Sequence, residues 1–147
     1  MNISNFSIHP MILPQALLDD TTASSNVVDL AGSKYCYIAV QLGATDIAMA
    51  ALKVQEADAK TDDTTLTSGA DITGLTYATA LPSATDDNKT YLFAFPTEGR
   101  KRYVNVVATA GNGSTGTYLT ATAILFDKLV HNDNAASFNV AGLKRIP

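Results

Sequence analysis

The sequence predicts an all-β fold: a single antiparallel β-sandwich, jelly-roll or immunoglobulin-like, of about seven or eight strands. Three observations carry this expectation. Short apolar runs recur from Val27 onward, and breaks rich in turn residues, such as "GATD", "LPSATDDNK", "PTEGRK" and "AGNGSTG", separate them. Within the runs, apolar and mixed side chains alternate, as they do on a pleated strand with one buried face. A chain of 147 residues is most simply one domain, long enough to bury roughly two-thirds of its unfolded surface in one core.

At the N-terminus, residues 1–24 hold Pro10 and Pro14 and end in the polar run "DDTTASS". Two prolines so close together argue against a long helix, while Ile3, Phe6, Ile8, Met11, Ile12, Leu13, Leu17 and Leu18 are too many apolar groups for a solvated tail. An extended N-terminal arm is expected, lying either on another surface or on its own domain. The sandwich domain spans 25–131, with strands expected at Val27 to Leu30, Tyr35 to Leu42, Ile47 to Glu56, Leu75 to Ala80, Thr90 to Phe95, Arg102 to Ala110, Thr117 to Phe126 and Lys128 to His131. "IAMAAL" (47–52) has helical propensity in its alanines, but the alternation just after it favours strand. Residues 57–74 form a long acidic loop, and 132–147 a C-terminal tail.

Alternation also assigns faces. Cys36, Ile38, Val40 and Leu42 share one side, as do Val104, Val106 and Ala108, and Leu119, Ala121, Ala123 and Leu125. The opposite faces are mixed and rich in Tyr and Thr, suited to solvent or to a partner. The lone Cys36 excludes an intrachain disulfide and reads as a buried small hydrophobe.

Gly111, Gly113 and Gly116 spell G-x-G-x-x-G, the dinucleotide-binding fingerprint. That motif needs a helix behind it to present amides to phosphate. The residues after Gly116 are "TYLTATAILF", a strand, so the glycines are expected at the tip of a β-hairpin joining 103–110 to 117–126. No Gly-Lys-Ser/Thr ending offers a P-loop either.

Composition narrows the function further. A net charge of −4, with acids and bases interspersed, gives no positive field for nucleic acid or anionic membranes. No stretch is apolar for long enough to span a membrane, and the N-terminus lacks the charged start and unbroken apolar core of a signal peptide, so a cytoplasmic, soluble product is expected. The glycosylation pattern at Asn88-Lys89-Thr90 has no meaning without secretion.

Two histidines and one cysteine are too few for an ordinary zinc site. Asp62-Asp63 and Asp86-Asp87-Asn88 place oxygen ligands in loops, where calcium could sit, but without the spaced pattern of an EF-hand they read as solvated turn carboxylates. No Gly-x-Ser-x-Gly elbow is present. The sequence leaves Glu98 and Asp71 unplaced as a carboxylate pair. The expectation is therefore a protein that is not an enzyme and has no cofactor. Arg100, Lys101 and Arg102 form a basic cluster with two readings, a gatekeeper against edge-to-edge pairing or a docking point for an acidic partner surface.

"LPSATDDNKTYLFAF" and "GRKRYVNVVATAGNGSTGTYLTATAIL", with "ALKVQEAD" and "ADITG", resemble small β-sandwich proteins encoded among the head genes of tailed bacteriophages and prophages. The resemblance covers roughly Val27 to Leu125 and does not extend to either end of the chain. It implies a virion structural protein, a capsid decoration (cement) protein on the outside of the major capsid lattice, assembled in the host cytoplasm. Its partners would be the major capsid protein and further copies of itself, as a trimer or dimer, with no nucleic acid and no membrane. Phe6, Ile8, Met11, Ile12, Leu13, Arg100, Lys101 and Arg102 are the candidate contacts. The alternative is a virion-surface binding module, a head-fibre base or carbohydrate-binding sandwich in which Tyr35, Tyr37, Tyr103 or Tyr118 stacks on sugars; the lack of tryptophan counts against it.

Overall fold

The alternating runs become strands of two sheets that share one buried cluster. The computed structural model describes residues 6–127 and 140–146. Among these the chain is all-β, with no helix. The strands are β1 (Phe6–Ile12), β2 (Val28–Asp29), β3 (Tyr35–Thr45), β4 (Ala51–Ala57), β5 (Ala59–Lys60), β6 (Leu66–Thr67), β7 (Ala70–Thr76), β8 (Thr90–Pro96), β9 (Tyr103–Thr109), β10 (Thr117–Phe126) and β11 (Gly142–Arg145). A five-stranded sheet has the order β1-β10-β3-β8-β11, and a four-stranded sheet the order β2-β9-β4-β7. All pairings in the two sheets are antiparallel except that of β11, which runs parallel to β8. β5 and β6 form a separate small hairpin.

The faces assigned by alternation hold. Cys36, Ile38, Val40 and Leu42 from β3, Val104, Val106 and Ala108 from β9, and Leu119, Ala121, Ala123 and Leu125 from β10 are all buried in one cluster. Burial pushes the Cys36 thiol far above its ordinary pKa, which leaves it an inert core residue. β8 adds the bulk: Tyr91, Phe93 and Phe95 point inward, in register with Val40, Ile38 and Cys36. Tyr77, just past β7 of the other sheet, meets Tyr91 and Phe93 edge to face, with centroids 5.1 and 5.3 Å apart. Its hydroxyl donates to the Leu92 carbonyl at 3.3 Å, so one side chain ties the two sheets together.

Several expectations need correction. β9 and β10 are not a hairpin: β9 lies in the four-stranded sheet and β10 in the five-stranded one, so residues 110–116 cross between sheets. A loop of Gly, Asn, Ser and Thr makes either kind of reversal. Here both β9 and β10 find other neighbours, because the N-terminal chain makes the same crossing beside them. β1 pairs with β10, and β2 with β9. Between them Leu18 and Thr117 exchange backbone hydrogen bonds (3.0 and 2.7 Å), Asp20 N–H donates to Gly111 O (3.1 Å), and Ala110 N–H to Thr21 O (3.0 Å).

Of the two placements expected for the N-terminal segment, its described part takes the second and lies on its own domain, with Phe6–Ile12 as a sheet strand. The prolines that forbid a helix permit an edge strand, where a missing N–H leaves no gap in the ladder. A register shift between Pro10 and Ile12 turns two consecutive side chains, Met11 and Ile12, into the core. The tail contributes β11 to the opposite edge of the same sheet. The strand expected from Ile47 begins only at Ala51; before it, Met49 is buried and its N–H donates to Pro82 O. The expected strand at Leu75 to Ala80 is β7, shifted towards the N-terminus to Ala70–Thr76, and the acidic loop 57–74 contains β5, β6 and the start of β7. The strand expected at Lys128 to His131 lies outside the described residues.

Phe93 is fully buried at the centre of β8. Phe93→Ala is expected to lower unfolding stability by about 3–5 kcal/mol, measured by urea denaturation, with little change in the slope of the transition.

Candidate functional site

The glycine motif does bind an anion, but one supplied by its own chain. Asp46 comes directly after the last residue of β3, and its Oδ2 accepts hydrogen bonds from the amides of Ser114 (2.7 Å) and Thr115 (2.5 Å). Asp19 Oδ1 accepts from Gly113 N–H at 3.0 Å. Successive amides aimed at one point make a concave anion site, the same device that cradles phosphate elsewhere. A Cβ on Gly113 would lie inside the Asp46 carboxylate, and Gly116 has φ +85°, which an L side chain rarely adopts. Hydrogen bonds from the Thr115 amide, then those of Gly116 and Ser114, hold the Asp46 carboxyl below the usual carboxylate range. No helix begins at Thr117, so the amides that the fingerprint would offer a pyrophosphate serve the crossing between sheets.

The basic cluster meets acids of the same chain. Arg100 lies 3.6 Å from Glu56, whose other oxygen accepts from Lys101 N–H at 3.1 Å. Lys101 Nζ is 3.6 Å from Asp58, and Arg102 grips Asp29 with both Nε and Nη2 at 2.8–3.1 Å. That grip holds the Asp29 carboxyl below its ordinary range and raises the Arg102 guanidinium. The Arg102 guanidinium also sits 5.1 Å from the Tyr103 ring centroid. Lys34, Asp58, Glu98, Arg100, Lys101 and Arg102 border an open cleft of about 690 Å³ in which both signs of charge are present. Neither the gatekeeper nor the docking reading gains an unpaired basic patch from this geometry.

The loop carboxylates act as local caps. Asp62 accepts from Thr64 N–H and hydroxyl, and Asp63 pairs with Lys60 at 2.5 Å. Asp86 holds Ser83 and Lys89, and Asp87 takes the Thr45 amide at 2.7 Å. Among the described residues no group of three or more His, Cys, Asp or Glu is arranged to hold a metal ion. Asp71 binds Lys53 and Gln55 on the four-stranded sheet, whereas Glu98 lies in the turn after β8.

Of the N-terminal candidates, Met11 and Ile12 are core residues, closed to any partner. Phe6, Ile8 and Leu13 are 52, 58 and 56% exposed. Phe6 and Ile8 continue a pattern that spans the sheet. Register sets Phe6 beside Phe126, Tyr35 and Pro96, and Ile8 beside Ile124, Tyr37, Ala94 and Arg145. These positions alternate with the core residues and therefore form the outer face, which reads as two largely apolar rows, the second ending in Arg145. Phe126 stacks on Tyr35 (5.8 Å) and meets Tyr37 edge to face (4.8 Å). Tyr35, Tyr37, Pro96, Arg145 and Ile146 line a groove of about 280 Å³ at one end of this face.

No protein-family model matches the chain, and no curated protein matches it. No helix among the described residues is long and apolar enough to cross a membrane.

The folded Asp46 carboxyl binds its proton less readily than the unfolded one. Its contribution to stability is thus complete above the unfolded pKa of about 3.9 and is lost as pH falls through the lower folded value. Asp46→Asn is expected to lower Tm at neutral pH and to shrink the fall in Tm between neutral and acid pH, measured by a pH series of thermal melts.

Proposed function

We propose that the chain is a structural protein of a tailed-bacteriophage virion, a capsid decoration protein that binds the outside of the major capsid lattice and stabilises the head. In this reading the two sheets and their shared core form a single β-sandwich whose use lies in its outer surfaces. The observation that carries the proposal is the outward apolar face of the five-stranded sheet, with Phe6 and Ile8 exposed at its edge. Exposed apolar side chains gathered at one edge of a sheet mark contact sites. The sequence resemblance to phage head proteins supplies the kind of partner. Binding in many symmetric copies lets modest contacts sum if copies are linked, so a face of this size suffices without a deep pocket.

A second reading is favoured by the groove beside Tyr35 and Tyr37: a virion-surface module that stacks a saccharide on those rings and orients it with Arg145. A glycan array separates the two, because the decoration reading expects no hits.

The principal test is co-sedimentation of the purified chain with heads of the phage that encodes it, then cryo-electron microscopy. The proposal expects the chain in the pellet and ordered density on the outer lattice, and higher head melting temperatures with it than without. A chain that stays in the supernatant at saturating concentration overturns it.

A further inference from the structure

We propose that the outward edge of β1 over residues 6–9 is a homotypic docking site, on which a second copy of this chain adds its own β1 antiparallel about a two-fold axis. The inference deepens the scaffold reading and rests on it only for the expectation that copies associate. A sheet edge offers unpaired N–H and C=O groups to any strand, and folded proteins blunt such edges with short strands, charges, prolines or irregularities.

The described edges differ sharply in this respect. β2 is two residues long. β7 carries Asp71, paired with Lys53, and shifts register against β4 over the stretch that holds Gly74 at φ +88°. β11 carries Lys144 and Arg145. β1 is blunted at one end only, where Asn26 donates to the Met11 carbonyl (2.7 Å) and the Pro10 carbonyl (3.1 Å), and where Pro10 has no N–H. Phe6, Ser7, Ile8 and His9 include no lysine, arginine, carboxylate or proline, and every second residue of an edge strand turns its amide and carbonyl away from the neighbour it already has.

The same four residues reverse the usual sense of a strand. Ser7 and His9 lie in register with the core residues Leu125 and Ala123, so they occupy the inward face, where they bond each other at 2.9 Å. Phe6 and Ile8 share the outer face with Phe126 and Ile124. The apolar half of β1 therefore points away from its own core.

A second copy satisfies both features at once. A two-fold axis perpendicular to the sheet keeps outer face beside outer face, so Phe6 and Ile8 of both copies join Ile124 and Phe126 in one apolar band. The pairing segment holds no lysine, arginine or carboxylate, so none of these meets its own kind across the axis although each chain carries −4. Pro10 and Asn26 bound the pairing at the same place in each copy.

The test is the mass of the purified full-length chain by sedimentation equilibrium over a concentration series. A mass of twice the chain is expected, halved by Ile8→Lys with the circular dichroism spectrum retained. Ile8→Cys is expected to give a disulfide-linked dimer under mild oxidation, without competition from Cys36, which is buried. A monomer throughout the series, a trimer, or a dimer indifferent to Ile8→Lys and uncrosslinked by Ile8→Cys overturns the proposal. A β1 edge that pairs only with added capsid protein overturns it as well. Co-sedimentation with heads is scored separately: a monomer that pellets fails this inference alone, and a dimer that stays in solution fails the scaffold reading alone.

Discussion

The crossing of residues 110–116 from one sheet to the other sets the neighbours of most strands in the molecule. It sends β9 and β10 to different layers, and β10 then lies between β1 and β3 while β9 lies between β2 and β4. A crossing exposes backbone groups that a ladder would have paired, and each must find another partner. The amides of 113–115 find carboxylates, Asp19 for the first and Asp46 for the next two. The ends of β9 and β10 find the N-terminal chain, which crosses alongside and pairs at Leu18 with Thr117 and at Thr22 with Thr109. Two antiparallel crossings thus stabilise each other, and the side-chain bond between Thr22 and Thr109 at 2.7 Å sits at their junction.

This arrangement explains why β1 belongs to the fold. Its first half adds few buried apolar groups, and its second half inserts Met11 and Ile12 at the end of the core nearest the crossing. Without them the inner face of β10 would have an open flank. The bulge that turns both inward takes the place of regular alternation at the point where proline would otherwise leave the ladder short.

Much of this architecture was legible in the sequence. The class, the inward sets on β3, β9 and β10, and the strand after the three glycines all derive from period-two patterning, which reports burial of one face. Patterning is local, and the features it missed are non-local. Nothing in "AGNGSTG" distinguishes a hairpin from a crossing, because the choice depends on Asp46, 68 residues before Ser114, and on Asp19, 94 residues before Gly113. β1 was obscured by its prolines and by a reversed pattern, and β5 and β6 by their length. The pairing of the basic cluster was equally hidden, since Asp29 precedes Arg102 by 73 residues. Of the candidate contacts, exposure separated Phe6, Ile8 and Leu13 from Met11 and Ile12, a division that the one-residue slip of a bulge makes and that composition cannot foresee.

The surface divides by chemistry in the same way. The charges are largely spent within the chain, base against acid at Arg102 and Asp29, Arg100 and Glu56, Lys53 and Asp71, and Lys89 and Asp86. Exposed pairs of this kind add little stability, but they neutralise the fields that would steer a charged ligand. The carboxylate nearest the glycine motif is engaged by backbone amides, and the thiol is in the core. The exposed apolar side chains that remain outward on the five-stranded sheet are those at its β1 edge, Phe6 and Ile8, in the half of β1 that holds no lysine, arginine or carboxylate. Recognition through such a face depends on shape and main-chain pairing, both of which a rigid two-sheet core holds in place and neither of which needs a reactive group.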